Sequence, residues 1–535
     1  MNPVQQKLLT LLEKFDQLCK QYEIVYYLGG GNTIGALRHK GFIPWDDDID
    51  LYMNGKNYNK LLSVQDEFFS DDFILVNSEN FPKYGNVLPR FVDTHSTVIG
   101  RARIADDTPK GQFLELFVFD PMPRDKDEQE LWLKKHWIYA ELMAFTYRVA
   151  NDSVQRYTDE KMYYEYVEKC KKFGKQAVLK ELEDELFSID EKDSDEYCSR
   201  WGIRNLIYRI DWFQEQRYVP YEYTEMPIAK YAENMLRSDY GDDWMYIPEP
   251  DNQIVHPYTS NMNISYQNYI DDYSQFVNMD EVFEVYEDRK KKLMELYFIN
   301  KKNHLIRQKI KTAQVQASLE YNADKSNIDF EALIKNESYD QIEEFFKVWY
   351  DNQFHKSFWG WDLFISLDDD MLYYALLPLL LKGGFSRVRK TIMMREREGE
   401  LSTQLSEMLD FTNAIRDVYV AIDNSNETMA LEALARCDSM VVDYKQNQFD
   451  YRKLKVTYAL KQDDRDLDAL KRTTQTMLED YPDNGEIISL YADVLYAQQD
   501  YQNALAAYED AYPKTNHGFI RIHIKDRIDA MKGGN

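Results

Sequence analysis

The chain opens with apolar residues at helical spacing: Leu8, Leu9, Leu11, Leu12, Phe15, Leu18 and Cys19 fall on one face, which predicts an amphipathic helix. Residues 24–28 then form a short β-branched and aromatic run that stops at Gly29, reading as a strand followed by a glycine turn. Asn32 is placed to cap a helix running through Arg38, and Gly41 and Pro44 break the chain before an acidic strand. Further strands are predicted over 73–76, 87–92 and 113–119, each bounded by Asp, Asn, Pro or Gly. From about residue 128 the pattern turns helical and rich in tyrosine, a subregion drawn to about residue 260. An Asn, Tyr and Ser-rich loop follows over 258–278, then a long helix from Met279 through Gln316. A domain boundary is expected around residues 305–325.

Beyond that boundary the chain reads as helix pairs. Ile488, Tyr491, Ala492, Leu495, Ala504, Tyr508 and Ala511 occupy the small and large positions of a tetratricopeptide unit, and Pro482 sits where the preceding unit would end. Ala433 and Ala469 precede Ala504 at nearly the same period, so a degenerate array of about three units over 415–520 is expected. A generic helical bundle is the simpler alternative, and in both the apolar residues are stacking core. The fold class is therefore α+β: an N-terminal mixed sheet with flanking helices over 1–310, then an all-α, tetratricopeptide-like domain over 325–535.

Composition narrows the function. A chain of 535 residues exceeds what one hydrophobic core usually supports. The net charge of -28 argues against a nucleic-acid-binding surface, which needs Lys and Arg to neutralise phosphates. Cys19, Cys170, Cys198 and Cys437 are far apart with no C-x-x-C pair, which argues against a zinc site or disulfide framework and fits a reducing cytoplasm. The N-terminus lacks a basic region followed by an uninterrupted apolar core, so it does not read as a signal peptide. The most apolar stretch, 371–381, is shorter than the roughly 20 residues needed to cross a bilayer and contains Pro378. A cytoplasmic protein is expected, with any membrane contact peripheral, at the inner face.

The chemistry concentrates in residues 27–53, YLGGGNTIGALRHKGFIPWDDDIDLYM. Alternation along a strand puts Asp46, Asp48 and Asp50 on one face and Asp47, Ile49 and Leu51 on the other. Carboxylates so close repel one another unless a cation joins them, and hard oxygen ligands favour Mg²⁺ or Mn²⁺. Glu115, in QFLELFVFD, is the best candidate for a further acid from a neighbouring strand, with Asp120 just beyond. A glycine turn opening a helix exposes backbone N–H groups to phosphate oxygens, which selects Gly30 and Gly31. Arg38, Lys40 and Arg90 are candidates to neutralise phosphate or a leaving group. The eight histidines show no metal-ligand spacing, and none is assigned to catalysis.

At these residues the chain resembles the LicD family, whose hallmark block corresponds to GNTIGALRHKGFIPWDDDID from Gly31 to Asp50. The resemblance continues through RFVDTHST, QFLELFVFDPMP and MPIAKYAENMLRSDYGDDWMYIPEP, covering about residues 5–260. Asn32 stands where that pattern has Thr, and Glu115 where it commonly has Asp. The family is similar to nucleotidyltransferase-fold enzymes, which implies a Gly-Gly turn at Gly30 and Gly31 and a D-x-D pair at Asp48 and Asp50. It also implies a third metal-site acid at Glu115.

What the resemblance implies is metal-dependent transfer of a phosphate-linked group, phosphocholine-like or an alditol phosphate, from a CDP-linked donor. The acceptor would be a sugar hydroxyl of a cell-surface glycan, teichoic acid or lipopolysaccharide, with the helical repeats recruiting the acceptor or a protein partner. Two other readings stay open: a nucleotidyltransferase making an activated precursor, which would release pyrophosphate rather than CMP, and a catalytically weak binding protein acting through its repeats.

Overall fold

The computed structural model describes residues 1–81, 84–99, 108–143, 159–201, 206–250, 253, 255, 256, 258–273, 278–326, 328–354 and 364–533. The chain divides into two compact units: Met1–Met235 with Asn252–Leu305, and Leu236–Asp251 with Ile306–Lys356 and Asp362–Asn535.

The first unit is built on a mixed sheet. Helix α1 (Pro3–Gln21) starts from a reciprocal cap in which Asn2 accepts from the Gln5 N–H and the Gln5 side chain returns to the Asn2 N–H. The strands are β1 (Tyr27–Leu28), β2 (Asp50–Asn54), β3 (Phe73–Val76), β4 (Arg90–Asp93), β5 (Thr97–Ile99) and β6 (Phe113–Pro121). The main sheet runs β1-β2-β6-β4-β3, with only β2 and β6 parallel in this row. Phe91 and Leu114 are paired in register on the face that α1 covers, where Phe15 packs edge-on against Phe68 and tilted against Phe91. Asp50, Glu115 and Arg90 are successive cross-strand partners and therefore share the opposite face.

Helices α2 (Gly30–His39) and α3 (Gly55–Ser63) link the early strands, and α4 (Lys126–Met143), α5 (Glu160–Phe173) and α6 (Lys175–Leu186) follow β6. The tyrosine-rich stretch is helical only this far. Residues 196–229 form β7 (Glu196–Ser199), β8 (Ile207–Arg209), β9 (Gln216–Tyr221) and β10 (Thr224–Ala229), before α7 (Ala232–Tyr240). The helical expectation failed there because short aromatic strands carry too little periodicity to separate from helix. β7 adds to β6 and β8 to β7, whereas β9 and β10 make a separate two-stranded hairpin. That hairpin accommodates Pro220 and Pro227, which a central strand would not. Within the 258–278 segment lie β11 (Thr259–Asn261), paired with β5, and α8 (Tyr266–Tyr273).

Helix α9 (Met279–Ser326) is 48 residues long, outlasting the expected end at Gln316. The second unit is otherwise helical: α10 (Phe330–Lys335), α11 (Tyr339–Gln353), α12 (Asp369–Leu381), α13 (Phe385–Glu396), α14 (Thr403–Asp423), α15 (Glu427–Ser439), α16 (Phe449–Ala459), α17 (Leu467–Asp480), α18 (Gly485–Ala497), α19 (Tyr501–Lys514) and α20 (Gly518–Gly533). Consecutive helices pack on one another, most extensively α14 on α15 and α18 on α19. Ile488, Ala492, Leu495, Ala504, Tyr508 and Ala511 are all buried in one cluster, with Tyr491 against it, as their spacing predicts. Ala433 is buried, while Ala469 is only half-buried. Lys453 is buried with Glu486 at 2.7 Å, and Tyr246 donates to the same carboxylate at 2.5 Å. Among the described residues no helix is long and apolar enough to cross a membrane, and all four cysteines are free.

Candidate active site

Three side chains, Asn32, Gln5 and Glu222, fix the acidic segment and the turn before it. Asn32, inside the first turn of α2 rather than capping it, donates from Nδ2 to the Asp48 carbonyl at 3.0 Å and accepts from the Asp50 N–H at 2.6 Å. The buried Gln5 amide donates to the carbonyls of Ile43, Pro44 and Asp46 at 3.2, 3.4 and 3.0 Å. Glu222, in the β9–β10 turn, accepts from the Phe42 N–H at 3.0 Å. Only Asp50 belongs to a regular strand; Asp46, Asp47 and Asp48 precede it in an irregular segment held by these side chains. Ile49 and Leu51 are fully buried in the core as alternation predicts, but Asp47, expected on their face, lies instead with Asp48 and His256, because the segment before Asp50 is not a regular strand.

Asp46, Asp48, Asp50 and Glu115 converge. Burial, then the neighbouring charges of Asp48 and Asp47, pushes the Asp46 carboxyl up to about 8. Burial also raises Asp48, against the pull of His256, and its carboxyl lies within hydrogen-bonding reach of Asp46, so the pair can share a proton. Asp50 is raised by burial, reinforced by Asp48, Glu115 and Asp46, with Arg90 opposing. The cluster lacks enough positive charge to stay ionised, which is the condition a divalent cation relieves.

Of the candidate cations, Arg90 is at the site but already engaged. Its Nε and Nη2 donate to Glu115 Oε1 at 2.8 and 2.5 Å, and its guanidinium lies 3.8 Å over the Phe113 ring. Arg38 is buried and donates to the His39 ring at 3.0 Å, and Lys40 is exposed at the left-handed C-cap of α2. Both sit at the far end of α2, roughly 12–15 Å along its axis from Gly30. Asp120 is not part of the cluster, since Arg200 binds both its oxygens at 2.6 and 2.9 Å.

The glycines lie beside the acids. Gly30 has φ +43°, a left-handed conformation that favours glycine, and a Cβ on Gly31 would come within 3.3 Å of Asp46 Oδ2. The first amides of α2 have no intrahelical carbonyl to bind and open next to the carboxylates.

One functional candidate escapes sequence reasoning. His256 Nδ1 lies 2.8 Å from Asp47 Oδ1 and 3.6 Å from Asp48 Oδ2, with its ring stacked on Tyr258. The hydrogen bond to Asp47 raises its pKa to about 9. Asp47, Asp48 and His256 each offer an atom within 4.8 Å of the others, close enough to hold a metal ion. No motif marks this residue, which is separated from Asp47 by 209 positions. Nearby, the Tyr221 hydroxyl is buried without a well-formed hydrogen bond and close enough to feel Asp46 and Asp48.

The mixed sheet thus carries a glycine turn beside a convergent carboxylate cluster. Residues 23–152 match the LicD/FKTN/FKRP nucleotidyltransferase domain. The chain is similar to the lipopolysaccharide cholinephosphotransferase LicD of Haemophilus influenzae, 26% identical over 270 residues, which span 46% of this chain and 92% of that relative. No solved structure matches the chain significantly.

Proposed function

We propose that the first unit is a metal-dependent transferase moving phosphocholine or an alditol phosphate from a CDP-linked donor to a sugar hydroxyl of a surface glycan. The observation that carries this reading is the half-buried convergence of Asp46, Asp48, Asp50 and Glu115 beside the first turn of α2. The similarity to a lipopolysaccharide cholinephosphotransferase supports the transferred group and the class of acceptor.

The donor set fits Mg²⁺ or Mn²⁺: clustered carboxylate oxygens, partly shielded from water, where burial and mutual repulsion of Asp46 and Asp50 leave a deficit of positive charge. Asp48 and Asp50 would hold the ion, with Glu115 or the Asp47 and His256 pair completing the set. When bound it supplies charge stabilisation to the pyrophosphate of the donor. The first-turn amides of α2, including those of Gly30 and Gly31, orient the donor phosphates. Asp46 takes the proton of the acceptor hydroxyl as its oxygen bonds to phosphorus, and the phosphorus–oxygen bond to CMP breaks. Rate would come from positioning and preorganised charge. The helical unit is read as a degenerate tetratricopeptide-like array that recruits the acceptor or a protein partner, with the enzyme at the cytoplasmic face of a membrane.

Thermal stabilisation by CDP-choline, CDP-ribitol, CDP-glycerol and CMP, with and without Mg²⁺, tests the reading. A ligand at a hundred times its Kd stabilises by about 2.7 kcal/mol. A Mg²⁺-dependent shift with one CDP-linked donor, absent in an Asp48→Ala, Asp50→Ala double variant, is expected. No shift with any cytidine nucleotide rejects it, and release of pyrophosphate from CTP would favour precursor synthesis.

A further inference from the structure

We propose that the exposed face of α9 in the second unit is a self-association surface, on which two copies of the chain pair antiparallel about a two-fold axis. From Ile306 onward α9 belongs to the second unit. Val315 and Leu319 bury its inner face in the core of that unit, at 2% and 4% exposure. On the opposite face Ile306, Ile310, Ala313 and Ala317 recur at intervals of four, three and four residues and are all exposed, the two isoleucines at 58% and 52%. A repeat of about 3.5 residues is the narrow apolar seam of a helix that packs along another helix. A single exposed isoleucine needs no partner, whereas an aligned series marks an interface.

The order of side-chain sizes selects a second copy as the occupant. Both large residues of the seam precede both small ones. Two copies running in opposite directions therefore set Ile306 over Ala317 of the second copy and Ile310 over Ala313, so that each large side chain fills the space left by a small one. Every such contact occurs twice about the axis, as a closed dimer requires. The two alanines would add little area to a lipid-facing surface, but they let the helix axes approach to the about 8–10 Å of close packing.

Charge fixes the register. The seam is flanked by Arg307, Lys309, Gln314 and Gln316, all exposed. With Ile306 over Ala317, Lys309 faces Gln316 of the second copy and Arg307 faces Gln314, so no like charges meet. Gln316 donates from Nε2 to the Ser366 carbonyl at 3.3 Å and keeps Oε1 to accept from the lysine. Sliding the pair by one heptad would stack Ile306 on Ile310, but it would also set Lys309 against Lys309 and Arg307 against Arg307, a repulsion that disfavours the slipped pairing.

Sedimentation equilibrium of the full chain is the test. A dimer of twice the 63.8 kDa of one chain is expected at micromolar concentration. An Ile306→Glu, Ile310→Glu double variant should be monomeric with an unchanged circular dichroism spectrum, because both residues are exposed. The register has its own readout: Gln316→Lys sets a lysine against Lys309 of the second copy and should weaken dimerisation at least tenfold, and adding Lys309→Glu to the same chain should restore it. A wild type that stays monomeric at tens of micromolar, or a dimer indifferent to the isoleucine variant, overturns the proposal. So does a Gln316→Lys chain without a defect, or with one that Lys309→Glu does not repair. A monomer that binds phosphatidylglycerol vesicles through Ile306 and Ile310 also overturns it and assigns the face to an anionic lipid surface.

Discussion

At the scale of single residues, the acid cluster joins two opposed demands. Carboxylates raised by burial destabilise the metal-free fold when ionised, so Asp50→Asn should raise the melting temperature of chelator-treated protein while lowering transferase turnover at least a hundredfold, about 2.7 kcal/mol of barrier. A variant with near-normal turnover would remove Asp50 from the chemistry. A different residue governs acid stability: His136 is buried against the Trp132 ring, and burial, with Arg200 nearby, lowers its pKa to about 3. Between there and the unfolded value near 6.5 the unfolded chain binds the extra proton, so stability is lost as the pH is lowered through that window, by up to about 1.4 kcal/mol per unit. Asp46 and its neighbours act in the opposite sense, so the informative quantity is the difference from His136→Leu. That difference should vanish above about pH 7 and widen on acidification; a parallel pH dependence of the two proteins would refute it. The acidic residues, Gly30 and Gly31 were legible because their chemistry is contiguous. His256 was not, because its meeting with Asp47 is created by tertiary folding across 209 positions.

At the scale of elements, the acidic run was readable as a strand only at its end. What shapes Asp46 to Asp48 is a set of side chains reaching in from α1, α2 and the β9–β10 turn, and such long-range clamps leave no periodic trace in the sequence. Asn32 illustrates the point: it looks like a helix cap, yet its amide holds the backbone on both sides of Ile49. Asn32→Ala should therefore cost about 1–3 kcal/mol in urea unfolding and lower turnover well beyond that stability loss, since it frees the backbone that carries Asp48 and Asp50. Unchanged turnover in folded Asn32→Ala would show that the clamp is dispensable. In the second unit, the buried Lys453 and Glu486 pair predicts an asymmetry: Glu486→Ala should cost about 3–5 kcal/mol, whereas replacing both residues with Leu should cost far less. Equal losses would mean that the pair contributes net stability.

At the scale of the whole molecule, periodicity marked the helical C-terminal region but not the strands of 196–229, and each unit owns its hydrophobic core. Phe15, Phe68 and Phe91 belong to one cluster, and Trp349, Phe346 and Leu376 to another. Separate cores imply separate cooperative transitions, since each unit contains enough buried apolar surface to unfold as its own cooperative body. Calorimetry should then resolve two transitions. Phe15→Ala, a buried aromatic truncation worth about 3–5 kcal/mol, should lower one, and Trp349→Ala the other. Because every residue of the acid cluster lies in the first unit, Mg²⁺ with a CDP-linked donor should raise only the transition that Phe15→Ala lowers, by an amount that grows with the logarithm of ligand concentration. If both truncations and the ligand all move a single transition together, the two units unfold as one body and the assignment of ligand stabilisation to the first unit fails.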